Sequence, residues 1–456
     1  MLFRKREKDI AEWINNNDNA LLITGARQVG KTYLINKVLE KSGYDFVDIN
    51  LIKTPQYISQ FENAIRKNIE TLIETFSVIA NKPLEKNKTI IFIDEVQECK
   101  EIVTAIKFLV QDGRYKYILS GSLLGVELNN LRSAPVGFLT TIKMYPLDFE
   151  EFLISNGLNV SFIENLRNCF VNKTPVNDVL HEKIIDAFYR YLIVGGMPRA
   201  VSTYIETNDL MKVSQVHNDI KNEYLKDFTK YEENKSLKLK LIKTYNLIPS
   251  ELNEQNKRYV FKHLDDNIKF DRYENSFNWL IDAGVSLPVY NTTEPMIPLE
   301  MNMKSNLFKL FLSDVGMLTS EYGKSTILKL LDRNNDINYG AVYENFIAME
   351  LINHTNKCYY YNSKKYGELD FVLEHNGEVL ILEIKSGKEY KKHQALDNII
   401  SLPNYKINNA YVLSNNNISV DNKITYYPIY MVMFINDYMT DMPIIDRLNL
   451  KDIKID

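Results

Sequence analysis

Residues 20–41 read ALLITGARQVGKTYLINKVLEK. An apolar run of strand length ends at Thr24, glycines at 25 and 30 bracket a turn, and apolar residues at helical spacing follow. The stretch Gly25-Ala26-Arg27-Gln28-Val29-Gly30-Lys31-Thr32 fits GxxxxGK[ST] in the strand-then-helix setting that a phosphate-binding loop requires. The two glycines let the backbone wrap closely, so that its N–H groups point at phosphate oxygens. Lys31 reaches the β and γ phosphates, Thr32 offers its hydroxyl to Mg²⁺, and the N-terminus of the following helix adds a favourable dipole. Residues Gly25, Ala26, Arg27, Gln28, Val29, Gly30, Lys31, Thr32 and Tyr33 are therefore expected to hold ATP. A loop with incidental glycines is the alternative, and it leaves the flanking strand and helix unexplained.

Outward from this loop, FVDIN (46–50), TIIFID (89–94), YKYILSGS (115–122) and FLTTIKMYPL (138–147) read as further strands separated by stretches long enough for crossover helices. That alternation predicts a parallel, doubly wound sheet over residues 1–147. The strand Ile90-Ile91-Phe92-Ile93 ends in Asp94-Glu95. A buried strand tolerates acids at its carboxyl end, where the phosphate loop also lies, and not in its middle, where an unpaired charge is costly. Asp94 is expected to hold the Mg²⁺ shell directly or through water, and Glu95 to polarise the attacking water, with Lys31 acting on the phosphates. A solvated strand terminus is the other reading of Asp-Glu taken alone. The next strand ends Ser120-Gly121-Ser122, which makes Ser122, or else Ser120, a γ-phosphate sensor, unless the stretch is a plain Ser-Gly turn.

The chain has 456 residues, and at about 150 residues per domain it is too long for one module. With 45% hydrophobic and 25% charged residues it has the composition of a globular protein, which excludes wholesale disorder. The three cysteines, Cys99, Cys169 and Cys358, lack CxxC spacing, so neither a disulfide framework nor a multi-cysteine metal site is expected. The basic opening MLFRKREKDIAEWI has no apolar stretch behind it, and no run approaches the roughly 18 apolar residues of a membrane span. A cytoplasmic protein that does not enter the membrane is expected. A net charge of -4 does not advertise a nucleic-acid binder, so any DNA-binding surface must be local.

Residues 148–232 carry helical spacing without a clear strand and are expected to form a helical lid. Between 233 and 300, short helical stretches are followed by VSLPVYN, as in a winged helix-turn-helix; a small helical connector is the other reading. Trp279 in this segment is expected to pack a core rather than stack on a base. Lysines 235, 238, 240 and 243 read as a solvated helix face, or as phosphate contacts if the segment is a winged helix. From 301 to 456 the pattern is mixed, with a helix at YGAVYENFIAMELINH and strands at KCYYYN, ELDFVLEHN, VLILEIKSG, NAYVLSN and ITYYPIYMVM. The six histidines show no metal-ligand spacing.

Taken together, GARQVGKT, IFIDEVQE, ILSGSLLG, MYPLDFEEFL and YLIVGGMPRAV resemble the prokaryotic AAA-type ATPases that carry an appended C-terminal domain of unknown function. The resemblance extends over nearly the whole chain. It implies an α/β protein made of a P-loop parallel-sheet ATPase core (1–147), a helical lid (148–232), a winged-helix-like segment (233–300) and a C-terminal α/β restriction-endonuclease-like domain (301–456). Many members have an arginine shortly after the serine strand; here the matching stretch reads Ser133-Ala-Pro-Val-Gly-Phe138, leaving Arg132 and Arg199 as candidates for contacting the γ-phosphate, in cis or in trans. In the tail, Glu344, Asp370 and Glu383-Ile-Lys385 follow the order of a restriction-endonuclease-like site. Glu383 and Lys385, two apart on a strand, share a face. Such carboxylates can hold Mg²⁺ while the lysine orients a hydroxide for attack on a phosphodiester. Gln394 stands where related nucleases often have a glutamine, and Lys388, Lys391 and Lys392 form a basic cluster that could contact a phosphate backbone. Solvated strand edges and an ordinary ion pair are the competing reading.

The expected activity is Mg²⁺-dependent ATP hydrolysis, acting on DNA through the C-terminal modules, in a possible homo-oligomer. An ATP-regulated, Mg²⁺-dependent DNA endonuclease and a nucleotide-gated scaffold with little turnover are the alternatives.

Overall fold

The computed structural model describes residues 2–122, 137–230, 235–254, 258–260, 273–334, 336–355 and 357–435. Its first part is a parallel sheet of β1 (Ala20–Thr24), β2 (Asp45–Asn50), β3 (Thr89–Asp94), β4 (Lys116–Ser120) and β5 (Leu139–Lys143), in the order β2-β3-β4-β1-β5. Helices α1 (Arg6–Asn16), α2 (Lys31–Lys41), α3 (Gln56–Lys67), α4 (Ile69–Ala80) and α5 (Lys100–Asp112) cover it. Successive strand side chains point to opposite faces, and here both faces are apolar. Leu21, Ile23, Ile90 and Phe92 pack toward α1 and α2, whereas Leu22, Ile91, Ile93 and Leu119 pack toward α3, α4 and α5. The alternating pattern read from the sequence thus gives the expected doubly wound sheet.

A helical layer follows: α6 (Phe149–Ser155), α7 (Val160–Asn172), α8 (Asp178–Val194), α9 (Pro198–Thr207), α10 (Leu210–Lys230) and α11 (Lys235–Asn253). α6 opens on a capping box in which Asp148 accepts from the backbone of Glu151 and the Glu151 side chain returns the bond. Phe149 then packs against Phe188, Tyr191 and Phe346, so the helical layer shares one apolar core with the sheet's first face.

The remainder comprises α12 (Glu274–Asp282), β6 (Ser286–Thr292), β7 (Met303–Leu312), α13 (Val315–Thr319), α14 (Lys324–Leu331), α15 (Tyr339–Thr355), β8 (Tyr359–Ser363), β9 (Gly367–His375), β10 (Glu378–Ile384), α16 (Gln394–Ile400), β11 (Asn409–Ser414), β12 (Ser419–Asp421) and β13 (Ile424–Pro428). These strands form one mixed sheet in the order β12-β13-β11-β10-β9-β8-β6-β7. Leu373, Leu380 and Leu382 face the same core as α15, and Val372, Ile381 and Val412 face α16.

Two features differ from the reading of the sequence. β6, placed there in the winged-helix-like segment, is hydrogen-bonded to β7 and β8, so a division at residue 300 falls inside a sheet. The run ITYYPIYMVM is not one strand: β13 stops at Pro428, and Ile429–Phe434 coil into a fully buried 3₁₀ turn. Proline has no N–H to continue a ladder, and apolarity alone does not distinguish a buried strand from a buried helical turn. Trp279 is buried edge-on against Phe228, as core. Among the described residues no helix is long and apolar enough to cross a membrane.

Candidate nucleotide site

The loop 25–30 joins the end of β1 to the start of α2. Gly25 has φ +140°, and a Cβ there would lie 2.2 Å from the Met144 carbonyl oxygen, so only glycine fits. Gly30 has φ +92° and turns the chain into α2, beside Pro198 of the GGMP stretch. Val29 is buried, and its carbonyl accepts from Arg4 Nη1 at 3.0 Å. Tyr33, in the first turn of α2, is exposed. Lys31 is buried and donates to the carbonyls of Gly25 (2.9 Å) and Ala26 (2.8 Å), folding back over its own loop. Burial brings its ammonium down to about 8, against the opposing pull of Glu95 and Asp94 and with the help of the Arg27 charge.

Asp94 is the centre of the site. Its Oδ2 accepts from Thr32 Oγ1 at 2.8 Å and from Asn50 Nδ2 at 2.9 Å, and its Oδ1 accepts from the Ser120 hydroxyl and from the Glu95 backbone N–H at 3.1 Å. Sheet order explains this convergence. β3 lies between β2 and β4, and Asp94 is in register with Asn50 on one side and Ser120 on the other. A buried carboxylate with four donors has most of its desolvation cost offset. Glu95 takes a left-handed conformation (φ +59°), unusual for a residue with a side chain, and accepts from Gln97 Nε2 (2.5 Å) and Ser122 Oγ (3.3 Å). The two serines thus divide: Ser120 holds Asp94, and Ser122 reaches Glu95. Asn50 was not singled out from the sequence, because only the strand order shows that it meets this cluster, and Gln97, two residues after Glu95, was given no role there.

Helix α10 roofs the loop. Arg27 Nη1 pairs with Asp227 Oδ1 at 2.7 Å, Gln28 donates to the Glu223 carboxylate, and Tyr224 OH donates to the Arg27 carbonyl at 3.2 Å. Burial raises the Asp227 carboxyl to about 6, with Arg27 opposing. Lower on the same helix, Lys230 pairs with Glu98 at 3.2 Å. Arg199 is exposed and pairs with Asp219 at 3.2 Å, and Arg132 lies outside the described residues.

The stretches MYPLDFEEFL and GGMP lock together beneath the site. Leu147 N–H donates to the Gly196 carbonyl (2.7 Å), Gly196 N–H donates to Asp314 Oδ2 (2.6 Å), and a Cβ on Gly196 would meet the Leu147 carbonyl oxygen at 2.0 Å. Nearby, Asp148, Glu350 and His354 bring their polar atoms within 4.8 Å of one another. Lys5 Nζ already pairs with Asp148 (2.7 Å) and Glu150 (2.9 Å), and Arg4 with Glu151 (3.2 Å). Burial, reinforced by the Asp148 charge, raises the Glu350 carboxyl well above its usual range. Histidine spacing could not reveal the group, since Asp148 and His354 are 206 positions apart.

In the tail, the side chains expected as a nuclease site surround a lysine that sequence reading missed. Lys309 on β7 has no exposed surface and pairs with Glu344 Oε2 (3.3 Å) and Glu368 Oε1 (2.7 Å). Burial opposes its charge, but the fields of Glu344, Glu368 and Asp370 outweigh it and raise its proton affinity. Asp370 Oδ2 accepts from the Ile384 N–H at 2.8 Å, and Lys385 Nζ lies 2.7 Å from Glu383 Oε1. Glu383 Oε2 is buried without a hydrogen-bond partner, and burial raises that carboxyl, with Lys385 opposing and Glu344 adding to the rise. Gln394 opens α16. Of the nearby lysines, Lys392 pairs with Glu389 at 2.5 Å and Lys391 lies over Tyr426. On α11, Lys240 lies 5.0 Å from the Tyr273 ring centre.

Residues 17–153 match the family model of an AAA domain, residues 185–326 a domain of unknown function (DUF8612), and residues 339–432 another (DUF4143). No curated protein matches the chain. Among solved structures, the Walker-type ATPase PABY2304 of Pyrococcus abyssi is 16% identical, with a TM-score of 0.43 over 70% of this chain and 95% of its own. PCH-2 of C. elegans is 14% identical (TM-score 0.27, covering 49% of this chain and 70% of that one). The Aeropyrum pernix ORC1 protein, solved in complex with DNA, is 11% identical (TM-score 0.27, covering 73% and 93%). Residues 17–153 are thus similar to an AAA domain, and the five-stranded parallel sheet there has the α/β form of a P-loop ATPase fold.

Proposed function

We propose that the chain binds ATP with Mg²⁺ between the 25–33 loop and the ends of β3 and β4, hydrolyses it, and uses the cycle to move the attached modules on DNA. The observation that carries this reading is the convergence of Thr32, Asn50 and Ser120 on Asp94, with Glu95 next in the chain. The donor set there is hydroxyl and carboxylate oxygen, the hard ligands that Mg²⁺ takes, so Thr32 and Asp94 fit the ion. When bound, Mg²⁺ neutralises charge on the phosphates. The rest falls to the protein. Backbone N–H groups of residues 26–32 and the Lys31 ammonium take the phosphate oxygens, Lys31 exchanging its loop carbonyls for them. Glu95 accepts a proton from the water whose oxygen bonds to the γ-phosphorus as the bond to the bridging oxygen breaks, yielding ADP and phosphate. Ser122, beside Glu95, is placed to hold that water or the γ-phosphate. Phosphate release measured with and without Mg²⁺ tests this: the wild type turns over only with the ion, and Lys31→Ala neither binds ATP nor turns over. A wild type that binds ATP without releasing phosphate supports the nucleotide-gated scaffold instead.

A second reading, an ATP-regulated DNA endonuclease, is favoured by the partnerless buried oxygen of Glu383 beside Glu344. It is the weaker of the two, because Lys309 already supplies a cation to Glu344. If plasmid DNA is nicked with Mg²⁺ by the wild type and not by Asp370→Ala, the tail is a nuclease. Equal nicking by both removes that site from consideration.

A further inference from the structure

Hydrolysis of a γ-phosphate generates charge on its equatorial oxygens, and a guanidinium with its planar fork meets that charge better than any other side chain. Of the expected sources, Arg199 pairs with Asp219 on the surface, and Arg132 lies outside the described residues. Another arginine is already in the phosphate loop. Arg27 stands two residues after Gly25, and its carbonyl is fixed by Tyr224 OH at 3.2 Å. Its guanidinium is about a quarter exposed and ends on Asp227, which is almost fully buried. The Arg27 charge is felt at Lys31, and both Arg27 and Glu95 are felt at Asp227. The guanidinium thus belongs to the same loop as the lysine that takes the phosphates and is anchored on α10 above it. The backbone is also committed to this arrangement: the next residue, Gln28, has φ +67° and is held by Glu223 of the same helix.

We infer that Arg27 is the catalytic arginine of this ATPase, held on Asp227 and transferred to the γ-phosphate when ATP binds. The inference rests on the ATPase reading above and extends it. A triphosphate carries more charge than one carboxylate and offers the guanidinium paired oxygens, so it competes successfully for Arg27. No bond to Arg27 forms or breaks: water oxygen joins the γ-phosphorus, the bridging bond to ADP opens, Glu95 receives the proton, and Arg27 donates hydrogen bonds to the oxygens that gain charge. Its departure has a mechanical consequence. Asp227 loses its partner, and with it α10 loses one of its ties to the loop, so the nucleotide state is passed to the helix that leads into the C-terminal modules.

Full-length wild type, Arg27→Ala, Arg27→Lys and Asp227→Asn are compared for ATP affinity by a fluorescent ATP analogue, for single-turnover phosphate release, and for trapping of ADP with aluminium fluoride, which mimics the transferring phosphoryl group. Arg27→Ala should bind ATP within a few-fold of wild type, lose about 1,000-fold or more in turnover, and fail to trap ADP–aluminium fluoride. Arg27→Lys should not restore trapping, because a lysine lacks the fork. Asp227→Asn, which removes the storage partner and keeps the arginine, should bind ATP more tightly and still trap ADP–aluminium fluoride. Turnover of Arg27→Ala within a few-fold of wild type overturns the inference, as does an Asp227→Asn defect as large as that of Arg27→Ala, which would make the pair merely structural. Turnover per subunit that rises with protein concentration, unchanged in Arg27→Ala, also overturns it by giving the task to a neighbouring copy. A wild type that does not hydrolyse ATP brings down the ATPase reading itself, an outcome distinct from all of these.

Discussion

Thr32 Oγ1 donates to Asp94 Oδ2 at 2.8 Å, joining the first turn of α2 to the end of β3 across the intervening strand β4. On the reading proposed above, Mg²⁺ would be held by this hydroxyl and carboxylate, which the fold already brings together. Thr32→Ala should therefore leave Mg²⁺-free ATP affinity nearly unchanged and abolish the gain in affinity that Mg²⁺ brings, with turnover falling by about 100-fold or more. Titrations of ATP in excess EDTA and in excess Mg²⁺ check it.

The buried ammonium of Lys31 gives the site a pH signature. Its folded value, about 8, lies below the ordinary 10.5, so the empty loop carries a strained charge below about pH 8 and is relieved of it as pH rises from there. ATP needs the charged form. Its affinity should fall as pH climbs through 8, while the stability contribution of Lys31 to the empty protein rises over 8 to 10.5. Affinity that stays flat between pH 7 and 9.5 in wild type contradicts this; Lys31→Arg, which cannot lose its proton, should show the flat profile.

Gly196 sits where a Cβ would lie 2.0 Å from the Leu147 carbonyl oxygen and 2.7 Å from its nitrogen. Backbone cannot yield cheaply, so Gly196→Ala should cost roughly 3 kcal/mol or more. Gly387→Ala, where a Cβ meets nothing within 4 Å, should be close to neutral. Denaturant midpoints of the two variants provide the comparison.

Lys309 has no exposed surface and neutralises Glu344 and Glu368. Lys309→Met removes the buried cation that pairs with Glu344 and Glu368 and should cost about 3–5 kcal/mol. Adding Glu344→Gln should recover part of the loss. An additive pair of losses would show that the two side chains do not interact.

What the sequence revealed follows the distance over which each feature is built. The loop 25–32 is contiguous, so its glycines, lysine and threonine stand together in one motif between β1 and α2; the Asp94-Glu95 pair ends a strand whose apolar run is unmistakable. Asn50 and Ser120 also end strands, yet their meeting at Asp94 depends on the order β2-β3-β4, which local patterning does not encode. Asp227 reaches Arg27 across 200 positions, a separation that no local pattern reports. Lys309, in the strand KSNLFKLFL, carried no local signal; its partners Glu344 and Glu368 come from α15 and β9, far along the chain. The placement of β6 failed for a related reason. Short helices and a β-pair are compatible with a separate small domain until the partner strand, β8, is known.

Glu95→Gln tests the central claim most directly. Glutamine preserves the shape and the contact with Ser122 but cannot accept the water's proton. Measured side by side with wild type, it should bind Mg²⁺–ATP with affinity within a few-fold and release phosphate at least about 100-fold more slowly in a single turnover. Phosphate release at the wild-type rate by Glu95→Gln would contradict the assignment of Glu95 as the base and, with it, the account of how this site hydrolyses ATP.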